Sequence, residues 1–187
     1  DTAAGVHRCV VQGLSSDGRQ GDVQVTMRAP SLEPASLPVV ADAPVIDQEL
    51  DAGDARVRVT CVSMGNPHAV TFDDLGGEQR KALGPVLEKH SRFPRAANIG
   101  FARVVAPQVL DLSVWERGVG FTEACGTGAC AAAVAAVTTK RAKASEPIEV
   151  RLPGGPLRIV VGQEGERLLM TGPARHVFDG SVQLTPV

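Results

Sequence analysis

The chain has 187 residues, of which 43% are hydrophobic, and this is enough for one well-packed core. Its net charge is −2 and its aromatic content only 3%, so it lacks the basic, aromatic surface that nucleic-acid binding requires. The longest apolar run, residues 129–137, is too short to cross a bilayer. We therefore expect neither nucleic acid nor a membrane as a partner.

The ends and the cysteines give the first expectations about cellular context. The N-terminus has no charged segment followed by an apolar one, so we predict no signal peptide. Four cysteines at irregular spacing differ from the disulfide framework of a small secreted protein, which favours a cytoplasmic location. Because the chain starts with Asp1 instead of methionine, we expect it to be processed, trimmed or part of a longer polypeptide.

The first part of the chain is predicted to form strands. We expect strands at residues 6–11 and 23–27 around the turn-forming segment 15–18 (SSDG). The prolines of residues 29–44 indicate an irregular connection. Residues 55–64 (ARVRVTCVSM) alternate as in a half-buried strand. They lead into a turn at 65–70 (GNPHAV) that the proline forces, and a short apolar strand is expected after it.

The second part is predicted to mix helices and strands. A helix is expected at 78–90, where His90 shares a face with Leu83 and Leu87, and an alanine-rich helix at 125–143. Strands are expected at residues 99–105, 109–116, 148–152, 157–161 and 167–171, with glycine turns at 153–156 and 164–165. An alanine-rich helix packs best where strands approach from several sides. We predict an α+β domain whose barrel-like sheet wraps around this helix.

The segment 122–130 (TEACGTGAC) carries the most functional information. It places Cys125 at the start of a helix whose first turn is almost free of side chains, at or one residue before that turn. Free N–H groups at residues 126–128 and the positive end of the helix dipole favour an anion such as a carboxylate. The same field is expected to lower the pKa of the thiol. The alternative is an inert buried thiol in a helix start selected for close packing.

A carboxylate follows the apolar face of the strand predicted at 109–116. Leu110, Leu112 and Val114 share one face, and Glu116 continues it. A carboxylate at the end of a buried face needs a partner, such as a ligand ammonium group or a buried hydrogen bond. The alternative is a strand that ends at Trp115, with Glu116 in solvent.

Three further polar residues lie in or beside turns. Asn66 and His68 flank a proline after a strand, and Asn98 precedes a strand. Loops often carry function, although a turn asparagine commonly bonds its own backbone and His68 also fits a surface or capping role. Cys125 and Cys130 point in diverging directions on a helix, and no second pair at ligand spacing exists, so we expect no metal site.

Four ordered motifs carry a family resemblance. They are 65–69 (GNPHA), 98–101 (NIGF), 116–120 (ERGVG) and 124–129 (ACGTGA), and together they resemble the C-terminal half of diaminopimelate epimerases. The resemblance runs from about residue 1 to residue 180. Proline racemase-like enzymes share Cys-Gly-Thr-Gly but lack the Asn-Pro-His and Glu-Arg-Gly motifs present here. We therefore expect a diaminopimelate epimerase-like fold and a cytoplasmic isomerase of lysine and peptidoglycan precursor biosynthesis.

The resemblance implies a specific chemistry. The family converts LL- to meso-diaminopimelate without cofactor or metal, using two cysteines on opposite faces of the α-carbon. It implies catalytic roles for Cys125, Glu116 and His68, the last two by tuning the cysteine pKa values. It implies substrate contacts from the following residues: Asn66, Asn98, Glu116, Arg117, Gly126 and Thr127.

The sequence also departs from the family pattern. The N-terminal half, with its Asn-x-Cys-Gly-Asn-Gly-type motif and partner cysteine, is absent from these 187 residues. Phe121 stands where the family commonly has a glutamate, and residues 94–97 (PRAA) replace a Pro-Glu-Gly-type stretch. We expect residues 1–187 to form one C-terminal catalytic domain, with 172–187 reaching toward the N-terminal half. A homodimer, or association with that half, is the expected partnership.

Two other functions remain open from the sequence. Cys125, His68 and an asparagine are the residue types of a cysteine hydrolase, which requires His68 within hydrogen-bond reach of the sulfur. A domain that binds a ligand or partner at the helix start, without catalysis, is the other alternative.

Overall fold

A computed structural model describes residues 6–163 and 166–183. The helices are α1 (Gly77–Glu88) and α2 (Gly126–Thr138), and a short 3-10 turn covers Pro34–Ser36. The strands are β1 (Cys9–Gln12), β2 (Gln20–Thr26), β3 (Gln48–Ala52), β4 (Ala55–Ser63), β5 (Pro67–Thr71), β6 (Asn98–Ala106), β7 (Val109–Glu116), β8 (Gly120–Thr122), β9 (Pro147–Leu152), β10 (Gly155–Val160) and β11 (Leu169–Arg175).

These strands form one sheet that curves around α2. Within the described residues the strand order is β1-β2-β11-β10-β9-β7-β6-β5-β4-β3, with β8 paired to β7. The β5–β6 and β7–β9 pairs are parallel, and the other pairs are antiparallel. Helix α2 contacts strands β4, β5, β6, β7, β9 and β10. The predicted α+β architecture, a sheet around an alanine-rich helix, is confirmed, because alanine side chains let six strands approach one helix.

The sheet has apolar cores on both of its faces. One core surrounds α2 and includes Ala131 to Ala136, all at most 5% exposed. The other lies under α1 and includes Val57, Val59 and Leu87. Because both faces are covered, β4 alternates in burial only at its start and is buried throughout from Val59 onward. The prediction of a half-buried strand is therefore wrong for the second part of β4.

Several element boundaries differ from the predictions for local reasons. Helix α2 ends at Thr138 instead of residue 143, because Lys140 adopts a left-handed conformation (φ 61°). Helix α1 ends at Glu88, and His90 lies half-buried in the turn that follows. Strands β3 and β8 were not predicted; both are short, and β3 ends at the Gly53 turn whereas β8 begins at Gly120. The turn predicted at 164–165 lies outside the described residues.

The N-terminal hairpin forms one edge of the sheet, where β2 pairs with β11. Strands β1 and β2 pair around the Ser15–Gly18 turn, as predicted. Residues 176–183 follow β11 without regular structure, whereas 184–187 lie outside the described part of the chain. No helix in the described ranges has the length and apolar character to span a membrane.

Candidate active site

Cys125 is the N-cap residue of α2. Its backbone is extended (φ −143°, ψ 102°), and its carbonyl accepts the first helical hydrogen bond from the Ala129 N–H at 2.9 Å. The β9–β10 turn anchors the preceding segment, since the Gly154 N–H donates to the Glu123 carbonyl at 2.7 Å. The prediction that Cys125 lies one residue before the first turn is confirmed.

The first N–H groups of α2 differ in their partners. The Gly128 N–H donates to Cys125 Sγ at 3.4 Å, so the expectation that it is free is wrong. The N–H groups of Gly126 and Thr127 make no hydrogen bond to any residue in the described ranges. A Cβ atom at Gly126 would lie 3.1 Å from the Met170 sulfur, so the thioether would have to shift slightly to admit a side chain here. Two free donors at the positive helix end suit a carboxylate.

A threonine hydroxyl connects the sulfur to the turn between β4 and β5. Thr127 Oγ1 lies 3.7 Å from Cys125 Sγ, 3.3 Å from Asn66 Nδ2 and 3.2 Å from His68 Nε2. His68 Nε2 also lies 3.1 Å from Asn66 Oδ1. Two segments that are about sixty residues apart in the chain therefore share one hydrogen-bonded group.

Burial dominates the ionisation of the thiol. Cys125 is 8% exposed, and this burial raises its pKa. Hydrogen bonds from Thr127 and the Gly128 N–H lower the pKa, whereas the nearby Glu116 carboxylate raises it. The expectation that the helix start lowers the pKa is wrong in net effect, because removal from water outweighs these donors. Cys125 therefore rests as a neutral thiol at neutral pH.

Glu116 ends β7 with a partner for its carboxylate. Strand β7 extends to Glu116, and its burial alternates along the strand as predicted. The carboxylate is half-buried and accepts a hydrogen bond from Thr122 Oγ1 at 2.6 Å. The alternative, a strand that ends at Trp115 with Glu116 free in solvent, does not hold.

Asn98 and Arg117 meet through the backbone. Asn98 is 5% exposed and pairs with His68 across β5 and β6. Its Oδ1 accepts from the Arg117 N–H at 2.9 Å, and its Nδ2 donates to the Pro67 carbonyl at 3.1 Å. The exposed guanidinium of Arg117 donates to the Arg95 carbonyl at 2.8 Å. Asn98 thus holds the turn that carries Arg117, and substrate contacts of both residues stay predictions.

His68 is neutral in the folded protein. It is 2% exposed, and burial lowers its pKa to about 4, with Arg117 acting in the same direction. Because its pKa is lower folded than unfolded, its contribution to stability is present above pH 6.5 and is lost as the pH falls toward 4.

We expect His68 to make the fold sensitive to acid. Between pH 7 and pH 4 the free energy of unfolding should fall by about 3 kcal/mol more in the natural chain than in His68→Gln, at 1.36 kcal/mol per pKa unit. Urea unfolding at several pH values measures this difference. Equal losses in the two proteins would mean that His68 is not held neutral.

Glu88, which was not predicted from the sequence, supports the turn that contains Glu116 and Arg117. Glu88 is 7% exposed at the end of α1. Its carboxylate accepts from Trp115 Nε1 at 2.7 Å and from the Gly118 N–H at 2.9 Å. Glu88 therefore holds the residues on both sides of the Glu116–Arg117 pair. In sequence it looks like any polar residue of an amphipathic helix, so only its position beside Leu87 hinted at burial.

Comparison with known sequences identifies the family. The sequence model described as Diaminopimelate epimerase matches residues 60–177, which include every site residue described above. The chain belongs to the diaminopimelate epimerase family. Diaminopimelate epimerase from Pseudomonas paraeruginosa is 46% identical over 165 residues, covering 88% of this chain and 59% of that protein. The one from Desulforudis audaxviator is 48% identical over 166 residues, with the same coverages.

The chain therefore spans about three fifths of the length of these diaminopimelate epimerases. A diaminopimelate epimerase from Alkalilimnicola ehrlichii is 44% identical over 187 residues, covering 97% of this chain and 66% of that one.

Solved structures show the same fold at low sequence identity. A probable proline racemase from Agrobacterium radiobacter has a TM-score of 0.66 at 18% identity, covering 98% of this chain and 59% of that one. A hydroxyproline epimerase from Agrobacterium vitis has a TM-score of 0.63 at 17% identity, covering 94% and 57%. These likenesses confirm the fold that the resemblance to diaminopimelate epimerases predicted.

The hydrolase alternative fails on geometry. Among the described residues His68 bonds Asn66 and Thr127, and no hydrogen bond joins it to Cys125. A cysteine hydrolase needs a histidine that takes the thiol proton directly, and the low pKa of His68 opposes that role. The described ranges also hold no cluster of three or more histidine, cysteine, aspartate or glutamate residues placed to bind a metal.

Proposed function

We propose that this chain is the part of a diaminopimelate epimerase that supplies one of its two acid–base groups. The complete enzyme would convert LL- to meso-diaminopimelate without a cofactor, a step in lysine and peptidoglycan precursor biosynthesis. One observation carries the proposal: Cys125 caps a helix with two free N–H groups, in a chain that is 46% identical to a diaminopimelate epimerase.

The helix start suits the charge that develops in this reaction. Removal of the α-proton moves negative charge onto the adjacent carboxylate, and donors aimed at that group stabilise the charge as it forms. In the proposed complex the carboxylate accepts from the N–H groups of Gly126 and Thr127. The α-carbon then lies beside the Cys125 sulfur.

The properties of Cys125 support a role as proton donor and acceptor. Its raised pKa keeps the proton on sulfur at neutral pH, ready for transfer to one face of the α-carbon. In the reverse direction the thiolate removes that proton, and the hydrogen bonds from Thr127 and the Gly128 N–H stabilise it. Glu116 lies close enough to raise the thiol pKa through its charge.

The second acid–base group is proposed to come from the N-terminal half of the enzyme. Cys9 is exposed on β1, far in sequence from any family motif. Cys61 and Cys130 are buried, and burial raises the pKa of each to about 12. None of the three suits the opposite face of the substrate. Residues 172–175 belong to β11 and pair with β2, so the expectation that they reach away from this domain is wrong. We propose that the segment after β11 reaches toward the N-terminal half, and that a cleft between the halves encloses the substrate.

The remaining polar residues are proposed to recognise the far end of the substrate. Asn66 is half-buried beside Thr127, and Arg117 is exposed on the turn after β7. An amide and a guanidinium suit the polar groups at the far end of a diamino diacid. Asn98 acts in this proposal by fixing the Arg117 turn as well as by contact.

A fusion protein tests the proposed function. The segment of the Pseudomonas paraeruginosa relative that lies outside the match is joined to this chain, and conversion between LL- and meso-diaminopimelate is followed by chiral chromatography. We expect inversion, and a loss of about 10³-fold in rate on Cys125→Ser, because acid–base groups contribute about 10² to 10⁴. Cys9→Ser is the matched control and should retain the rate.

Two results would contradict the proposal. Inversion that survives Cys125→Ser would remove Cys125 from the chemistry. A folded fusion protein that binds diaminopimelate but never inverts it would favour the non-catalytic binding domain.

A further inference from the structure

The hydroxyl group of Thr127 has three polar neighbours and only one proton to donate. Its oxygen lies 3.3 Å from Asn66 Nδ2, 3.2 Å from His68 Nε2 and 3.7 Å from Cys125 Sγ. The chemistry of the first two neighbours decides where that proton points.

Asn66 in the β4–β5 turn and His68 in β5 both act as donors. The Asn66 Nδ2 amide can only donate, so the Thr127 oxygen accepts from it. His68 Nε2 lies 3.1 Å from Asn66 Oδ1, an atom that can only accept. Nε2 must therefore carry the imidazole proton, which it shares between Asn66 Oδ1 and the Thr127 oxygen.

We propose that Asn66 and His68 fix the Thr127 hydroxyl as a hydrogen-bond donor to the Cys125 sulfur. With both lone pairs of its oxygen facing donors, the hydroxyl proton is left for the sulfur. Thr127 then stabilises a thiolate through its side chain, and His68 is a positioning residue that acts on the sulfur through Thr127. This deepens the proposed function, since it explains how a buried thiol reaches its anionic form.

The surroundings of the sulfur make this hydroxyl important. Glu116 on β7 faces it with negative charge, and the neutral Cys130 lies further along α2. The stabilising contacts are the Thr127 hydroxyl and the Gly128 N–H. Loss of the hydroxyl removes one of two donors. Because His68 stays neutral down to about pH 4, it orients the hydroxyl as a dipole over the whole neutral range.

The test reads the sulfur directly in this chain, with no substrate. In a Cys9→Ser background, the rate of Cys125 alkylation by iodoacetamide is followed against pH by mass spectrometry of the peptide. The apparent pKa should rise by about one unit in Thr127→Val, a tenfold loss of thiolate at a given pH below the midpoint. Thr127→Ser keeps the hydroxyl and should stay near the parent value. Thr138→Val, at the other end of α2, is the matched control.

Two variants of Asn66 test the direction of the hydrogen bonds. Asn66→Asp places an acceptor against the hydroxyl and should raise the apparent pKa at least as much as Thr127→Val. Asn66→Ala removes one donor to the Thr127 oxygen and should raise the value slightly. A lower value in Asn66→Ala would mean that the Asn66 oxygen had held the Thr127 proton, and the proposed direction would be wrong.

The Thr127 variants can also overturn the proposed role of the hydroxyl. An unchanged or lower value in a folded Thr127→Val protein would overturn the proposal. If that variant does not fold, Thr127→Ala, which also lacks the hydroxyl and adds no charge, gives the decision. Alkylation needs neither diaminopimelate nor the N-terminal half. The role of the Thr127 hydroxyl can therefore be confirmed even if the fusion protein is inactive, and it can be disproved even if the fusion protein is active.

Discussion

A polypeptide of these 187 residues is expected to give no measurable inversion of diaminopimelate by itself. In the proposed mechanism the single sulfur of Cys125 takes a proton from one face of the α-carbon but cannot return it to the opposite face. Cys61 and Cys130 are too buried to act, with pKa values of about 12. The half-exposed residues Gly126 and Thr127 would also hold the reacting carboxylate near water, which weakens the stabilisation that a closed cleft supplies.

Two measurements on one sample check this expectation. Chiral chromatography follows the stereoisomers, and nuclear magnetic resonance follows exchange of the α-proton in deuterated water. Exchange without inversion, lost in Cys125→Ser and retained in Cys9→Ser, would agree with one working acid–base group. Robust inversion that Cys125→Ser abolishes would instead prove that a second acid exists within this chain, and half of the proposed active site would have to be redrawn.

The parts of the site that sequence predicted are those set by local rules. The β7 alternation that brings Glu116 to a buried face follows from the two-residue repeat of a strand. The start of α2 at Cys125 follows from small residues and their free N–H groups. Each of these features depends on fewer than about ten neighbouring residues, so a single sequence is sufficient for it.

The parts that sequence did not predict depend on pairing between distant segments. The parallel pairing of β5 with β6 places His68 beside Asn98, and the curvature of the sheet brings Asn66 to Thr127. The prediction that the helix start lowers the pKa of Cys125 was wrong for the same reason. Its helix dipole is a local property, whereas its 8% exposure results from strands that close around α2. The role of Glu88 likewise depends on a distant residue, because the indole of Trp115 donates to its carboxylate.

Gly84→Ala is expected to destabilise the protein by about 1 kcal/mol, because the added methyl group would clash with Trp115. A methyl group on Gly84 would lie 2.6 Å from Cδ2 and 2.7 Å from Cε3 of the Trp115 ring. The ring cannot withdraw freely, because its Nε1 donates to Glu88 at 2.7 Å and it packs against Phe121 in a T-shaped arrangement with the centroids 5.3 Å apart. Overpacking costs about 1 to 3 kcal/mol, and the better helix propensity of alanine offsets about 1 kcal/mol of it.

Gly77→Ala is the matched control, with an effect of opposite sign. Gly77 begins the same helix and has no atom within 4 Å of an added methyl group, so alanine there should stabilise by up to about 1 kcal/mol. Urea unfolding measures both variants, and Trp115, the one tryptophan in the sequence, reports ring displacement by its fluorescence. Equal stability with changed emission in Gly84→Ala would show that the ring yields at no cost, and equal stability with unchanged emission would show that the methyl group does not clash with it.

Displacement of the Trp115 ring is also expected to disturb the candidate active site. Trp115 precedes Glu116 in β7, and Glu88 holds both the indole and the Gly118 N–H. A shift of the indole therefore moves the carboxylate that lies beside the Cys125 sulfur. In the fusion protein Gly84→Ala should slow inversion even under conditions where the variant is fully folded. Gly77→Ala should leave the rate unchanged, since its added methyl group contacts no atom within 4 Å.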